Sequence, residues 1–137
     1  MLMVRNIHLS ALVIASLLVI AAPYVGAEDL DGDEVRRLVS GKTVEAVHAN
    51  KGFPITTYFL RDGTFRQDRD GERENGTWSV DDQGRLCTIR AGWGGECRLI
   101  AQEGEAWKAY KIPNNVMKGR RHKRTFNKII EGNPHNL

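Results

Sequence analysis

YFLRDGTFRQDRDGERENGTWSV, residues 58–80, carries the punctuation that decides the fold. Two turns, Arg61-Asp62-Gly63 and Asp70-Gly71, cut it into short runs rich in aromatic and β-branched residues. Glycine, and to a lesser degree Asp, tolerates the positive φ that tight hairpins require, so the pattern predicts antiparallel strands joined by local turns. The same rhythm, one turn signal about every 8 to 12 residues, continues on both sides. It predicts strands at residues 43–49, 55–60, 64–68, 76–80, 85–90, 96–101, 106–112 and 125–131, with further turns at Asp82-Gln83-Gly84 and Glu103-Gly104. The expected fold class is mainly β, a small antiparallel up-and-down barrel or sandwich of about seven to eight strands. Eight strands would close a barrel whose interior is filled by side chains or holds one small ligand.

Alternation along these strands predicts inward pairs: Trp78 with Val80, Cys87 with Ile89, Cys97 with Leu99, and Tyr58 with Leu60. Trp107 and Tyr110 fall on opposite faces, so one of them must lie outside the core or at its rim. One short helix precedes the strands. Asp31 can cap it, Glu34 stands where a capping box needs an acid, and Gly41 stops it.

Residues 1–27 read as an address. Arg5 is the one charge of the first ten residues, and an apolar run from Leu9 to Ala22 follows, shorter than the roughly 20 residues a membrane span needs. Pro23 and Gly26 break it, and Val25-Gly26-Ala27 places small residues for cleavage before Glu28. The expectation is an export signal over 1–27 and a single domain over 28–137, located in the periplasm or secreted, with no transmembrane segment in the mature form. Export places Cys87 and Cys97 where a dithiol oxidises. Folding the hairpin about Gly92 sets them opposite each other, which predicts one structural disulfide. No Cys-x-x-Cys motif supports redox activity.

The order of LVSGKTV (38–44), YFLRDGTF (58–65), NGTWSV (75–80), the cysteine pair and the closing Glu131-Gly132-Asn133-Pro134 resembles small secreted β-barrel-like proteins of proteobacteria grouped as a domain of unknown function. The likeness spans almost the whole chain after residue 27. It implies a lipocalin-like or avidin-like architecture and a periplasmic location, and it implies no activity. Lipocalins and avidins carry their Gly-x-Trp near the first strand, whereas Gly76-Thr77-Trp78 stands mid-chain.

The whole chain has 20 Lys+Arg against 17 Asp+Glu, net +3. That balance selects no partner; its distribution does. Glu28, Asp29, Asp31, Asp33 and Glu34 crowd the start, where the helix dipole accounts for those in its first turn. A basic segment at 118–128 contains Arg120, Arg121, Lys123 and Arg124 around His122, dense enough to attract a polyanion. Export excludes intracellular nucleic acid, leaving an anionic envelope polymer such as lipopolysaccharide phosphate, anionic lipid, extracellular DNA or an acidic protein, this protein's own acidic helix among them. Base-stacking aromatics do not interleave this run, since Phe126 stands alone.

Catalytic chemistry finds little to work with. His48, His122 and His135 lack a nucleophile motif and lack metal-ligand spacing, so neither a metal nor a cofactor is expected. Asp29-x-Asp31-Gly32-Asp33 and Asp68-x-Asp70-Gly71-Glu72 place glycine fourth, where a calcium loop wants it sixth. Glu45, Glu72, Glu74 and Glu96 offer carboxylates for glycoside hydrolysis, but nothing selects a pair. Three readings follow. The first is a non-enzymatic envelope module for a small ligand or protein partner, with Trp93 on its glycine-rich tip as the contact. The second is an envelope polyanion binder acting through Arg120, Arg121, Lys123 and Arg124. The third, with least support, is a hydrolase.

Overall fold

The computed structural model describes residues 28–113 and 119–137. The expected export signal and Lys118 of the basic segment lie outside these residues. Strand β1 (Glu28–Asp29) and helix α1 (Gly32–Val39) lead into β2 (Lys42–His48), β3 (Pro54–Phe59), β4 (Thr64–Arg69) and β5 (Glu72–Val80). Then come β6 (Leu86–Arg90), β7 (Gly95–Glu103), β8 (Ala106–Lys111) and β9 (Arg121–Glu131). From β2 to β9 each strand pairs antiparallel with the next, and β9 returns to pair with β2. The result is a closed eight-stranded meander. β1 adds to β7 beside Ala101 and Gln102, beyond the stretch of β7 that β6 covers.

The expected turns form where glycine allows them. Gly63, Gly71, Gly84 and Gly104 all take positive φ, and Asp70 joins Gly71 with φ of 53°. The helix starts on a complete capping box, in which Asp31 Oδ1 accepts the Glu34 N–H at 2.8 Å and Glu34 Oε2 accepts the Asp31 N–H at 2.7 Å. Gly41, at φ 71°, ends it.

Amphipathicity then decides where the helix sits. Val35 and Val39 are fully buried while the Arg36 side of the helix faces out, and α1 packs against β2 and β5. It stoppers one end of the barrel. Beneath it lie Val44, Phe59, Leu86 and Ile100, with Phe65, Ala109 and Phe126 completing the core. Phe65 stands directly opposite Gly76. A Cβ on Gly76 would come within 2.8 Å of the Phe65 ring and 2.0 Å of the Ile89 carbonyl oxygen, so the strand must carry glycine there.

The inward assignments hold in part. Trp78 and Val80 pack against the core, and the Trp78 indole meets Phe59 edge-on at 5.8 Å and donates to the Leu60 carbonyl at 2.8 Å. Trp107 packs inward; Tyr110 bonds Glu103 at 2.6 Å on the outer side. Three expected pairs are reversed. Ile55, Thr57 and Phe59 face in, so Tyr58 and Leu60 face out. Leu86 and Thr88 of β6, and Arg98 and Ile100 of β7, line the interior, which puts Cys87, Ile89, Cys97 and Leu99 on the outer face, where Leu99 is nonetheless buried. On β6 and β7 the cause is the polarity of the other barrel end, where the inward positions are Thr88, Arg90, Glu96 and Arg98; on β3 both faces carry apolar side chains, Ile55 and Phe59 on one and Tyr58 and Leu60 on the other, so alternation does not select between them.

Cys87 and Cys97 are register partners and form the disulfide across the β6–β7 hairpin. Closing a loop with a sequence separation of 10 contributes about 2 to 3 kcal/mol through chain entropy. Trp93, at the hairpin tip, is 66% exposed. We expect Trp78→Ala to cost about 3 kcal/mol or more and Trp93→Ala less than about 1 kcal/mol. Urea melts of the two variants decide the matter, and equal losses would contradict this placement.

Candidate functional site: the cationic mouth of the barrel

Because α1 closes one end, the barrel opens only at the other. The strands that reach that end carry charge inward: Arg69 of β4, Arg90 of β6, Arg98 of β7, Lys111 of β8, and Lys123 and Arg124 of β9. They surround a cavity of about 300 Å³, together with His48, Gln67, Thr88 and Glu96.

Two irregularities in β9 aim its side chains. Opposite β2 the register shifts between Glu45 and Ala46, so that Ile129 pairs with Val44 and Phe126 with Ala46, both on the core side. Opposite β8 it shifts again between Ala109 and Tyr110, where Arg124 pairs with Ala109 and His122 with Tyr110. Lys123 is the residue left over. Such bulges re-aim side chains at barrel rims, and here consecutive residues, Lys123 and Arg124, both line the mouth. The Lys123 carbonyl meanwhile accepts the Ala49 N–H at 2.9 Å.

Arg98 and Arg124 border both the mouth and a void of only about 10 Å³ beneath it, among Phe59, Ile100 and Phe126. They mark the boundary between apolar core and polar mouth. The core half is therefore full, with no space for an apolar ligand.

Charge matching in the mouth is incomplete. Arg98 donates to Glu96, yet its Nε is buried without a partner. Arg90 pairs with Glu74 at 2.8 Å. Glu74 also accepts from Gln67, which bonds Thr57 at 2.9 Å, so a polar chain crosses four strands inside the barrel. Arg69 lies over the Phe53 ring at 4.8 Å. Among the described residues Arg69, Lys111, Lys123 and Arg124 have no carboxylate partner within salt-bridge distance. Residues 1–27 and 114–118 contain no Asp or Glu. Burial, followed by the charges of Arg98 and Arg69, pulls the Arg124 guanidinium down to about 9. Burial likewise lowers Arg98, against the opposing pull of Glu96. Guanidinium keeps its proton under physiological conditions, so the strain persists as charge that lacks a counter-ion.

His48 stacks on Phe53 with ring centroids 4.8 Å apart, and its Nδ1 accepts the Asn50 and Lys51 N–H groups at 3.3 and 3.2 Å. Burial, then the charges of Arg69 and Lys123, lowers its pKa. The neutral imidazole is thereby favoured.

The basic segment does not form one solvated edge. Arg120 makes two hydrogen bonds to Asp29, at 2.8 and 2.6 Å, Arg121 is exposed, and Lys123 and Arg124 turn into the mouth. Trp93 is not among the residues that line the cavity; it stands at the rim, on the outer face with Ile89, which is 56% exposed, beneath the guanidinium of the mouth residue Arg90 at 5.1 Å. Of the carboxylates considered for hydrolysis, Glu74 and Glu96 reach the interior but each is bonded to an arginine, while Glu45 bonds His135 at 2.8 Å. Four acids of the two candidate calcium runs are occupied as well: Asp29 by Arg120, Asp31 by the helix cap, Asp33 by Arg36, and Asp68 by Gly71 N–H and Arg73. His122 bonds Thr125 away from the other two histidines. Sequence reasoning missed Arg69, Arg90, Arg98 and Lys111, because strand arginines read as outward-facing until closure fixes the parity.

The chain matches no protein-family model and no curated protein. Among the described residues no helix is long and apolar enough to cross a membrane.

Two measurements follow from these electrostatics. Replacing a partly buried, uncompensated ion by an apolar group of similar length removes its desolvation cost, so Arg124→Met should raise the stability of the ligand-free protein by about 1 kcal/mol. A lower denaturant midpoint would contradict the assignment. For His48 the lowered pKa means that the unfolded chain binds the proton more readily. Its contribution is therefore intact above the ordinary value of 6.5 and declines as pH falls through the window below it. Wild type should lose more stability than His48→Gln between pH 7 and pH 5 in paired urea melts; parallel losses would contradict it.

Proposed function

We propose that this protein is a non-enzymatic, exported binding module that takes a small ligand into the open mouth of its barrel. The observation that carries the reading is the cavity of about 300 Å³ lined by Arg69, Lys111, Lys123 and Arg124, which among the described residues have no carboxylate partner within salt-bridge distance. Cations gathered on one concave wall without counter-ions oppose folding and call for an explanation. A bound ligand supplies one. The volume stands at the small end of the range for ligand clefts, and an eight-stranded barrel stoppered at one end is a rigid frame for such a site. Export agrees with the sequence of residues 1–27 and with a disulfide that an oxidising compartment would maintain.

A second reading, protein contact through the hairpin tip, rests on the exposed Trp93 and Ile89. The two separate cleanly in one experiment. Ligand that binds only the folded state raises the melting temperature by mass action. The small-molecule fraction of an envelope extract should raise that temperature for wild type and for Trp93→Ala, and should fail to do so for Thr88→Trp, whose side chain fills the mouth. No shift for wild type, or an equal shift for the blocked variant, would overturn the reading.

A further inference from the structure

We propose that the ligand of the mouth is a small molecule bearing a compact dianionic group, a phosphate monoester or a pair of neighbouring carboxylates. This rests on the reading of the mouth as a small-ligand site. Three observations fix the class. The first is charge number. Six cations line the cavity, and among the described residues only Arg90 and Arg98 have a carboxylate partner, so Arg69, Lys111, Lys123 and Arg124 remain unmatched there. A single carboxylate would leave most of this charge uncompensated in a partly desolvated site, whereas a dianion answers it with several charge-assisted hydrogen bonds.

The second is shape. The unmatched cations converge from β4, β8 and β9 around a concave space of about 300 Å³ instead of lying along an exposed strand. A polymer follows an extended basic track; these groups surround a head group. Arg120, which could have extended such a track, is already held by Asp29. The third is depth. Arg98 and Arg124 sit at the boundary of the apolar core, where the void below is about 10 Å³. The charged end of the ligand therefore occupies the deepest point, and its remainder faces the opening near Gly94 and Gly95. Fatty ligands enter barrels the other way round, with the apolar end deep, and this interior leaves that end no room.

His48 provides a reporter independent of affinity. It shares the cavity with these cations, which now disfavour its protonation. A dianion would reverse that field.

The test is calorimetric titration of the purified protein with five probes at low salt: inorganic phosphate, a hexose phosphate, succinate, laurate and the parent hexose. The phosphate arms and the succinate arm distinguish a phosphoryl ligand from a dicarboxylate. At least one dianion should bind saturably, tighter than laurate and the neutral sugar by about tenfold or more, and weaken as salt rises. Arg124→Gln should reduce that affinity at least about tenfold, Arg124→Lys should recover part of it, and Arg121→Gln, on the outer surface, should leave it within about twofold. The His48 pKa, followed by NMR, should rise when the dianion binds. Thermal melting guards against a folding artefact, since Arg124→Gln is expected to melt no lower than wild type. If no dianion binds by about 10 mM, or if Arg124→Gln binds as wild type does, the proposal is overturned. Laurate or the neutral sugar binding in competition with Thr88→Trp blockage, with no dianion binding, would overturn the ligand class while leaving the mouth as the site. No binding by any probe, together with an envelope extract that fails to shift melting, would remove both.

Discussion

Closure of the sheet through β9 is the constraint on which the rest of this molecule depends. β9 must pair with β8 on one side and with β2 on the other, strands whose edges would otherwise be exposed. It meets both demands by shifting register twice, and those shifts determine what each of its side chains faces. Phe126 and Ile129 fill the core because of the first; Lys123 and Arg124 line the mouth because of the second. One strand thus joins the apolar end of the barrel to its charged end.

The two ends differ in how they are satisfied. At the closed end Val35, Val39, Val44 and Ile100 are removed from water against one another, and α1 is fixed by a capping box and a glycine stop. Each fully buried aliphatic side chain there contributes roughly 1.5 to 3 kcal/mol. At the open end the inward residues are arginines and lysines whose charge exceeds that of Glu74 and Glu96. Such groups oppose folding unless something compensates them. A fold that tolerates this arrangement does so with stability drawn from its other end, the usual relation between a binding site and the scaffold that holds it.

Much of the architecture was legible. The glycine and aspartate turns after Leu60, Arg69, Val80 and Glu103 mark hairpins because positive φ is a local property, costly for most side chains and cheap for glycine. The helix with its Asp31 and Glu34 box, and the pairing of Cys87 with Cys97, follow equally from neighbours in sequence. Face assignment was less secure. It succeeded at Trp78 and Val80, near the apolar end, and reversed the faces at Tyr58, Cys87, Ile89 and Leu99, although Leu99 is buried on the outer side. The rule that apolar residues point inward presumes an apolar interior and one apolar face per strand; half of this interior is polar, and β3 is apolar on both faces.

The site shows the same division more sharply. Density of charge near the C-terminal end was evident from Arg120, Arg121, Lys123 and Arg124, but their fates differ, and no local feature separates them. Arg120 meets Asp29 across 91 residues, and Arg124 shares the mouth with Arg98 through strand pairing that closes only when the barrel does. The sequence by itself determined the turns, the helix, the disulfide and eight strands in outline, since each depends on residues near one another in the chain; β1, and the extension of β9 back to Arg121, depend on partners distant in sequence. Tertiary structure alone decided which arginines are buried, which carboxylates they meet and which remain unmatched, because electrostatic balance is set by distances that exist only after closure.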